Sequence, residues 1–358
     1  MIFKKDNIIS MNDDAQSLPF SIHSILLSRF NDLPNDTKRI IEIAACIGRE
    51  FSAATLAKIA PDKKFNLESA YEKGIILKIG EIYQFKHAFF QDAIQHSLLD
   101  TNRKKYEKLI SKIFIEEKRT PYEIAHHLTE AGEAYLALPY WYNTFEELHD
   151  KGFHNEIANI IQRLGNYDDE HTKDVGAFIN ALYLTKMADY YDAEQILTKL
   201  KKKEDIRKEV LYGLAGLYDW STQYEKMVVV LKELRHLPMK IDEKLSYLEL
   251  YGIYYDMMGD NQKGLAYYRK SLKIAQKYKL RKSLSVCLFN IGWIYFKERR
   301  YDRAETYFRK SLSFIKEGEL FLEGSTLLRL GQIEMLKGNL DLSQDYLKKS
   351  LRKRQWIF

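Results

Sequence analysis

Two cysteines, six prolines and seventeen glycines among 358 residues rule out several protein classes. Cys46 and Cys287 lie far apart, each in an apolar helical context. They make neither a disulfide framework nor a zinc motif, and they read as small core residues of a chain in a reducing cytosol. So little Pro and Gly excludes collagen-like and low-complexity chains. The longest apolar stretch, around Ile40 to Ile47, falls far short of the roughly 20 residues of a membrane span. Met1 to Ser10 carry no apolar run of the secretory kind. No G-x-x-x-x-G-K-[ST] occurs, so no loop cradles phosphate beside a lysine, and no glycine-rich dinucleotide fingerprint appears. Charge is not one-sided either. A surplus of +6 is spread over 56 basic and 50 acidic residues, which speaks for solubility and only weakly for nucleic acid.

What is present is apolar, charged and aromatic, with 25 Tyr and 18 Phe suited to act as interlocking knobs. Three segments repeat at nearly equal intervals. They are Tyr267-Tyr268-Arg269-Lys270-Ser271-Leu272, Tyr307-Phe308-Arg309-Lys310-Ser311-Leu312 and Tyr346-Leu347-Lys348-Lys349-Ser350-Leu351. Each follows a small residue (Gly252, Gly292, Gly331), and a second small residue stands twelve positions after the first (Gly264, Ala304, Ser343). The spacing predicts helix-turn-helix units. A small residue on each helix permits a close crossing, while large residues such as Leu288, Ile291 and Tyr295 fill the layer between. Turn signals fall at Met258-Gly-Asp-Asn261, Glu298-Arg-Arg300 and Lys337-Gly-Asn339. One hairpin cannot bury its own apolar face, so such units must stack.

This pattern resembles the tetratricopeptide repeat, with Leu248, Leu288 and Leu327 at the family's Trp/Leu position. Weaker copies run through Leu211, Ala215, Tyr218, Tyr224, Met227 and Leu231, and through Ala181, Leu184, Tyr190, Ala193 and Leu197. The period is uneven, beginning at the family's usual value of about 34 and lengthening to about 40, and the usual closing Pro is missing. An irregular helical bundle is the plainer alternative. Leu340 to Phe358 reads as the second helix of a repeat with no polar capping helix after it. Either the terminus docks on something, or the chain is a piece of a longer protein.

The first half reads as three helices and a β-hairpin. Leu18 to Phe30 starts with Pro near a helix N-terminus, a second helix runs from Pro34 to Gly48, and Ser52 caps a third that ends before Pro61. A short helical piece spans Leu67 to Lys73. Ile75 to Ile79 and Ile82 to Phe85 are strand-like runs around Gly80-Glu81. This is a winged-helix pattern. The segments Leu18-Pro-x-Ser-Ile22, Leu27-Ser-Arg-Phe30, Ile43-Ala-Ala-x-Ile-Gly-Arg-Glu-Phe51, Tyr83-x-Phe-Lys-His-Ala88 and Ile124-Ala-His-His-Leu-x-Glu-Ala-Gly132 are similar to the winged-helix region of STAND-class signalling ATPases. The resemblance covers roughly residues 17 to 350. It implies an all-α chain: a small winged-helix domain with one β-hairpin, then about six hairpins in a right-handed tetratricopeptide-like superhelix. The expected borders are a flexible segment 1–17, the winged helix with following helices over 18–119, and repeats over 120–358. In that family a P-loop ATPase and an effector precede the winged helix. Both are missing before Leu18, so no cofactor and no catalytic residue is assigned.

The resemblance also makes His87 a candidate nucleotide latch, against the plainer reading of a helix-start or packing histidine. His126-His127 cannot both chelate one ion from one helix face, and no metal is expected. The third helix offers only Lys58 as a base and the wing turn carries Glu81, so DNA binding is disfavoured. Lys199 to Lys203 and Lys348 to Arg354 read as solvated faces, and Asp13-Asp14 and Asp168-Asp169-Glu170 as turn formers. The expected interaction surface is the groove that the first helix of each repeat lines in the tetratricopeptide family. Carried onto this chain, the lining is Tyr212, Glu249, Asp256, Phe289, Trp293, Phe296, Leu328 and Met335. Phe289, Trp293 and Phe296 share one helix face at i, i+4 and i+7 and could anchor a peptide or helix, or else pack on the next helix. The functional expectation is a cytoplasmic, non-catalytic sensor and scaffold module whose protein or peptide partner acts on an ATPase or effector supplied separately. A DNA-binding regulator of the maltose-activator type and a fragment of an ATPase-linked cyclase or kinase are the alternatives.

Overall fold

The computed structural model describes residues 27–61, 67–316 and 320–354. The segment 1–17, the expected helix start at Leu18 and the closing Trp356-Ile-Phe358 lie outside them. Contacts divide the chain into two compact units between Ala137 and Leu138.

In the first unit, helix α1 (Asn35–Ile47) follows Pro34 and buries Ile40, Ile41, Ala44 and Ala45 on one face. It ends at Gly48, whose φ of 137° suits only glycine. Strand β1 (Glu50–Ser52) leads into α2 (Ala53–Ile59), and Ser52 Oγ accepts the Thr55 N–H at 3.0 Å as the N-cap. After α3 (Glu68–Glu72), strands β2 (Ile76–Ile79) and β3 (Ile82–Phe85) form a hairpin around Gly80-Glu81. β3 also pairs with β1, giving the order β1-β3-β2. The sequence reading missed β1 because three residues between a helix stop and an N-cap are too few to display alternation. Phe51, Ile76 and Phe85 are buried on one face of the sheet, while Leu77, Ile79 and Ile82 on the other are exposed.

Three helices complete this unit's described core: α4 (Ala88–Ser97), α5 (Asp100–Glu116) and α6 (Pro121–Glu130). Thr120 and Glu123 form a capping box at the start of α6, with Pro121 at its first position. His127, on α6, reaches the fully buried Glu107 of α5 at 2.6 Å, and Arg103 reaches Glu130 at 3.3 Å. Residues 121–130 thus pack with the first unit, although the sequence reading began the repeats at 120. Helix α7 (Ala134–Asp150) contains the division between the units.

The second unit is a stack of helix pairs. α8 (His154–Gly165) packs on α9 (Glu170–Lys186). The pairs are then α9 with α10 (Tyr190–Leu200), α11 (Arg207–Trp220) with α12 (Tyr224–Leu234), and α13 (Ile241–Met257) with α14 (Asn261–Lys277). α15 (Arg281–Lys297) with α16 (Tyr301–Phe314) and α17 (Leu320–Leu336) with α18 (Leu340–Arg354) complete the series. The repeat is visible in the backbone itself. The residue that turns each first helix into the second has positive φ, at Ala188, Thr222, Gly259, Arg299 and Gly338. These five turns recur at the same intervals as the side-chain repeat, position for position.

The small residues stand where the two helices of a hairpin cross. A Cβ on Gly252 would lie 2.3 Å from the Tyr268 ring, one on Gly292 3.0 Å from Phe308, and one on Gly331 2.9 Å from Leu347. Tyr268, Ile291, Ile294, Tyr295, Ala304, Phe308, Leu330 and Ile333 form one buried layer from α14 to α17, so each hairpin completes its core on the next. The repeated serine seals the crossing. Ser311 Oγ donates to the Ser285 carbonyl at 2.8 Å, and Ser350 Oγ to the Gly324 carbonyl at 2.7 Å. The repeated arginine ties neighbours together, Arg269 donating to Tyr295 Oη at 3.1 Å and Arg309 to Tyr346 Oη at 3.0 Å.

Candidate functional site

We call α9, α11, α13, α15 and α17 the A helices. Trp220 at the end of α11 meets Phe321 at the start of α17, ring centroids 6.4 Å apart. Helices three hairpins apart touch in this way when the array curls with its A helices inward. The A-helix side is therefore the concave surface of this unit.

The expected lining residues divide into two groups. Tyr212, Glu249, Asp256 and Phe289 are engaged by neighbouring helices. Tyr212 Oη donates to the Glu243 carbonyl at 2.8 Å. The Glu249 carboxylate turns between helices, where Ser271 Oγ and Cys287 Sγ donate to Oε1 at 3.3 and 3.4 Å. Burial pushes that carboxyl up to about 7, opposed by these two donors and by Lys282. Burial likewise raises the Cys287 thiol, which fits an inert core cysteine. Asp256 is 5% exposed and ion-paired to Lys297; burial raises its carboxyl against the pull of that ammonium. Phe289 packs on the buried layer, 5.4 Å from Phe308.

Trp293, Phe296, Leu328 and Met335 keep surface. The Trp293 and Phe296 rings stack 5.6 Å apart at 12°. The Arg329 guanidinium, from the next A helix, lies 4.1 Å from the Trp293 centroid, and Lys297 lies 6.0 Å from it on the residue after Phe296. Leu328 is half-buried and Met335 is exposed. The chemistry on offer is apolar ring edge flanked by positive charge. Sequence reasoning missed Arg329, Lys297, Lys186 and Trp220. Lys186 sits 4.8 Å over the Trp220 ring, beside Asp219, whose carboxyl burial pushes up to about 6 against the Lys186 charge. The repeat register could have found Lys186, Trp220 and Lys297, which occupy one equivalent position on α9, α11 and α15, with Met257 at that position on α13.

Lys297 provides a direct test of how this side is held. Lys297→Met leaves the buried Asp256 carboxylate without its cation. The ammonium is partly solvated, so the expected loss is about 2 kcal/mol of unfolding free energy at pH 7, less than for a fully buried pair. The loss shrinks at acidic pH, as the Asp256 carboxyl, raised by burial, takes up a proton. Urea unfolding at pH 7 and at acidic pH measures it, and an equal loss at both would show that the ion pair is not its source.

The histidines singled out in the sequence, His87, His126 and His127, belong to the first unit. His87 is exposed at the N-cap of α4, makes no side-chain capping bond, and its ring lies 6.1 Å from Phe90. His127 is buried on Glu107, and His126 faces Glu130 at 3.8 Å. Among the described residues no three His, Cys, Asp or Glu side chains converge, and no helix is long and apolar enough to cross a membrane. Lys58 is bound to Glu117 at 2.6 Å, and of the 199–203 cluster Lys201 and Lys203 pair with Glu233 and Asp174, each at 2.6 Å.

Comparison with known proteins speaks to the fold. An 84-residue stretch is 33% identical to human (Homo sapiens) tetratricopeptide repeat protein 6, spanning 24% of this chain and 15% of that protein. A STAND protein (signal transduction ATPase with numerous domains) with a tetratricopeptide repeat sensor, from Pyrococcus horikoshii, superposes with a TM-score of 0.73 at 18% identity. That superposition covers 94% of this chain and 53% of the other. The APC/C hetero-tetramer Cut9-Hcn1 superposes at 0.50 with 15% identity, over 75% of this chain and 53% of that one. The chain thus spans about half of each solved structure, and at these identities the likeness is one of fold. Residues 244–317, which hold α14, α15, α16 and most of α13, match the tetratricopeptide repeat family, and the unit they belong to is a tetratricopeptide-like helical solenoid.

Proposed function

We propose that this chain is the regulatory, partner-binding part of a STAND-type signalling protein, with the first unit acting as a winged helix and the repeats as the sensor. The observation that carries this reading is the Trp293–Phe296–Arg329 platform on the inward A-helix side, where rings and a cation are held in place by neighbouring helices and still keep surface. A peptide or amphipathic helix with an apolar anchor fits such a platform, because a rigid aromatic anchor site loses little entropy on binding. The surface includes Leu328 and Met335. Glu249 and Asp256 brace α15 through Cys287 and Lys297, and Phe289 seats it on the buried layer. The fold likeness to the Pyrococcus protein, described as having a repeat sensor, supports the same division of labour. Binding would shift the repeats between two arrangements, and the differential affinity for the two would restrain or release an ATPase and effector supplied elsewhere. No residue is given a catalytic role, and His87 is proposed as a helix-start residue with no nucleotide contact.

A pulldown with the full chain tests this. Wild type captures a discrete protein, and Trp293→Ala/Phe296→Ala loses it by tenfold or more while keeping the wild-type circular dichroism. Equal capture by the folded double variant contradicts the platform.

A further inference from the structure

The outward side of α18 carries a second surface, independent of the A-helix platform. Its inner side is fully used: Ser343 Oγ donates to the Gly331 carbonyl at 2.8 Å, Ser350 Oγ to the Gly324 carbonyl, and Leu347 packs on Gly331. One flank is tied to the body of the unit through Tyr346 to Arg309 and Lys353 to Glu323. The opposite side exposes one stripe, Leu340, Asp341, Gln344, Lys348, Leu351 and Arg352, at i, i+4, i+8 and i+11 spacing. Leu340 is 68% exposed and Leu351 59%. In the preceding hairpins the residues equivalent to Leu351, Leu272 and Leu312, pack on buried clusters, whereas nothing among the described residues covers Leu351. Leu336, about half exposed, continues the apolar surface at the adjoining turn.

The order of charge along this stripe says what fits it. Acid stands at its N-terminal end and base at its C-terminal half. We propose that it is a self-association surface that pairs α18 antiparallel with α18 of a second copy about a two-fold axis. In that register Asp341 faces Arg352 of the second copy, Leu340 faces Leu351, and Gln344 faces Lys348, each contact occurring twice. A parallel arrangement would set Asp341 on Asp341 and Lys348 on Lys348, so the charges select the antiparallel one. The spacing serves this pairing because all three pairs have nearly the same sum of positions, which is the condition for facing residues on antiparallel helices. A surface one helix pair wide falls at or below the low end of the roughly 1,200–2,000 Å² typical of stable interfaces. The dimer is therefore a micromolar one in fast exchange.

Sedimentation velocity on the full chain, from about 1 to about 200 µM, reads this directly. Wild type shifts from monomer to dimer across that range. Leu351→Arg leaves a monomer throughout. Asp341→Arg and Arg352→Asp each weaken the dimer about tenfold, and the double variant returns to the wild-type affinity, since the swapped charges face each other again. Gln344→Glu, set against Lys348, tightens the dimer several-fold, a gain that misfolding cannot imitate. A wild-type monomer at every concentration, a dimer that Leu351→Arg leaves intact, or a double swap that fails to restore it would each overturn the proposal.

Discussion

Gly252→Ala is expected to unfold at a clearly lower urea concentration than wild type, with a net loss of about 2 kcal/mol. The added Cβ would stand 2.3, 2.6 and 2.8 Å from three atoms of the Tyr268 ring. That ring cannot swing away, because Tyr268 is 2% exposed and wedged in the layer shared by α14 to α17. Overpacking of this kind costs about 1–3 kcal/mol. Here the opening of the α13–α14 crossing also disturbs the contact of α14 with α15, which pushes the cost to the upper end. The better helix propensity of alanine returns up to about 1 kcal/mol. The control lies in the same unit. Gly216 sits inside α11, and a Cβ there meets nothing within 4 Å, so Gly216→Ala is expected to stabilise by about 0.5–1 kcal/mol. If the two substitutions move stability in the same direction by similar amounts, the crossing is not where the repeat register places it.

The second large effect is electrostatic. The Glu249 carboxyl is held near 7 in the folded chain, above its ordinary value of 4.5, because burial disfavours the charged form. The folded state then binds a proton more tightly than the unfolded state. Its stabilising contribution is complete below about pH 4.5 and is lost as pH rises to about 7. Glu249→Gln removes this dependence. Its amide oxygen can still accept from Ser271 and Cys287. The variant is therefore expected to match wild type near pH 4.5 and to exceed it by about 2 kcal/mol at pH 8, a figure discounted because residue 249 keeps some solvent contact. Asp219 titrates with the same sign, its carboxyl pushed up to about 6, so only the difference between wild type and variant isolates Glu249. Stability curves that stay parallel from pH 4.5 to 8 would show that the carboxylate is not buried as described.

Much of the repeat unit was legible in the sequence because it depends on size at fixed spacing. Gly252, Gly292 and Gly331 mark crossings, Tyr268, Phe308 and Leu347 fill them, and the positive-φ turns follow the same intervals. The candidate site was legible only in part. Position on an A helix tells which side a residue faces, but not whether a neighbour claims its polar atoms. Asp256 and Glu249 occupy lining positions, yet their carboxylates are taken by Lys297, 41 residues on, and by Cys287, 38 residues on. Arg329 escaped notice because its role arises only when α17 is laid beside α15. In the first unit, β1 is too short to show a pattern, while the hairpin next to it announces itself through Gly80, whose φ of 62° the turn requires.

In the proposed function a partner binds the inward A-helix side at Trp293 and Phe296. Site-specific photo-crosslinking in cells tests it most directly, with benzoylphenylalanine placed at Phe296 in one variant and at Lys310, exposed on α16, in another. A discrete crosslinked protein is expected from position 296, absent from position 310 and lost when Trp293→Ala is added. The same product from both positions, or one from position 310 alone, would contradict it.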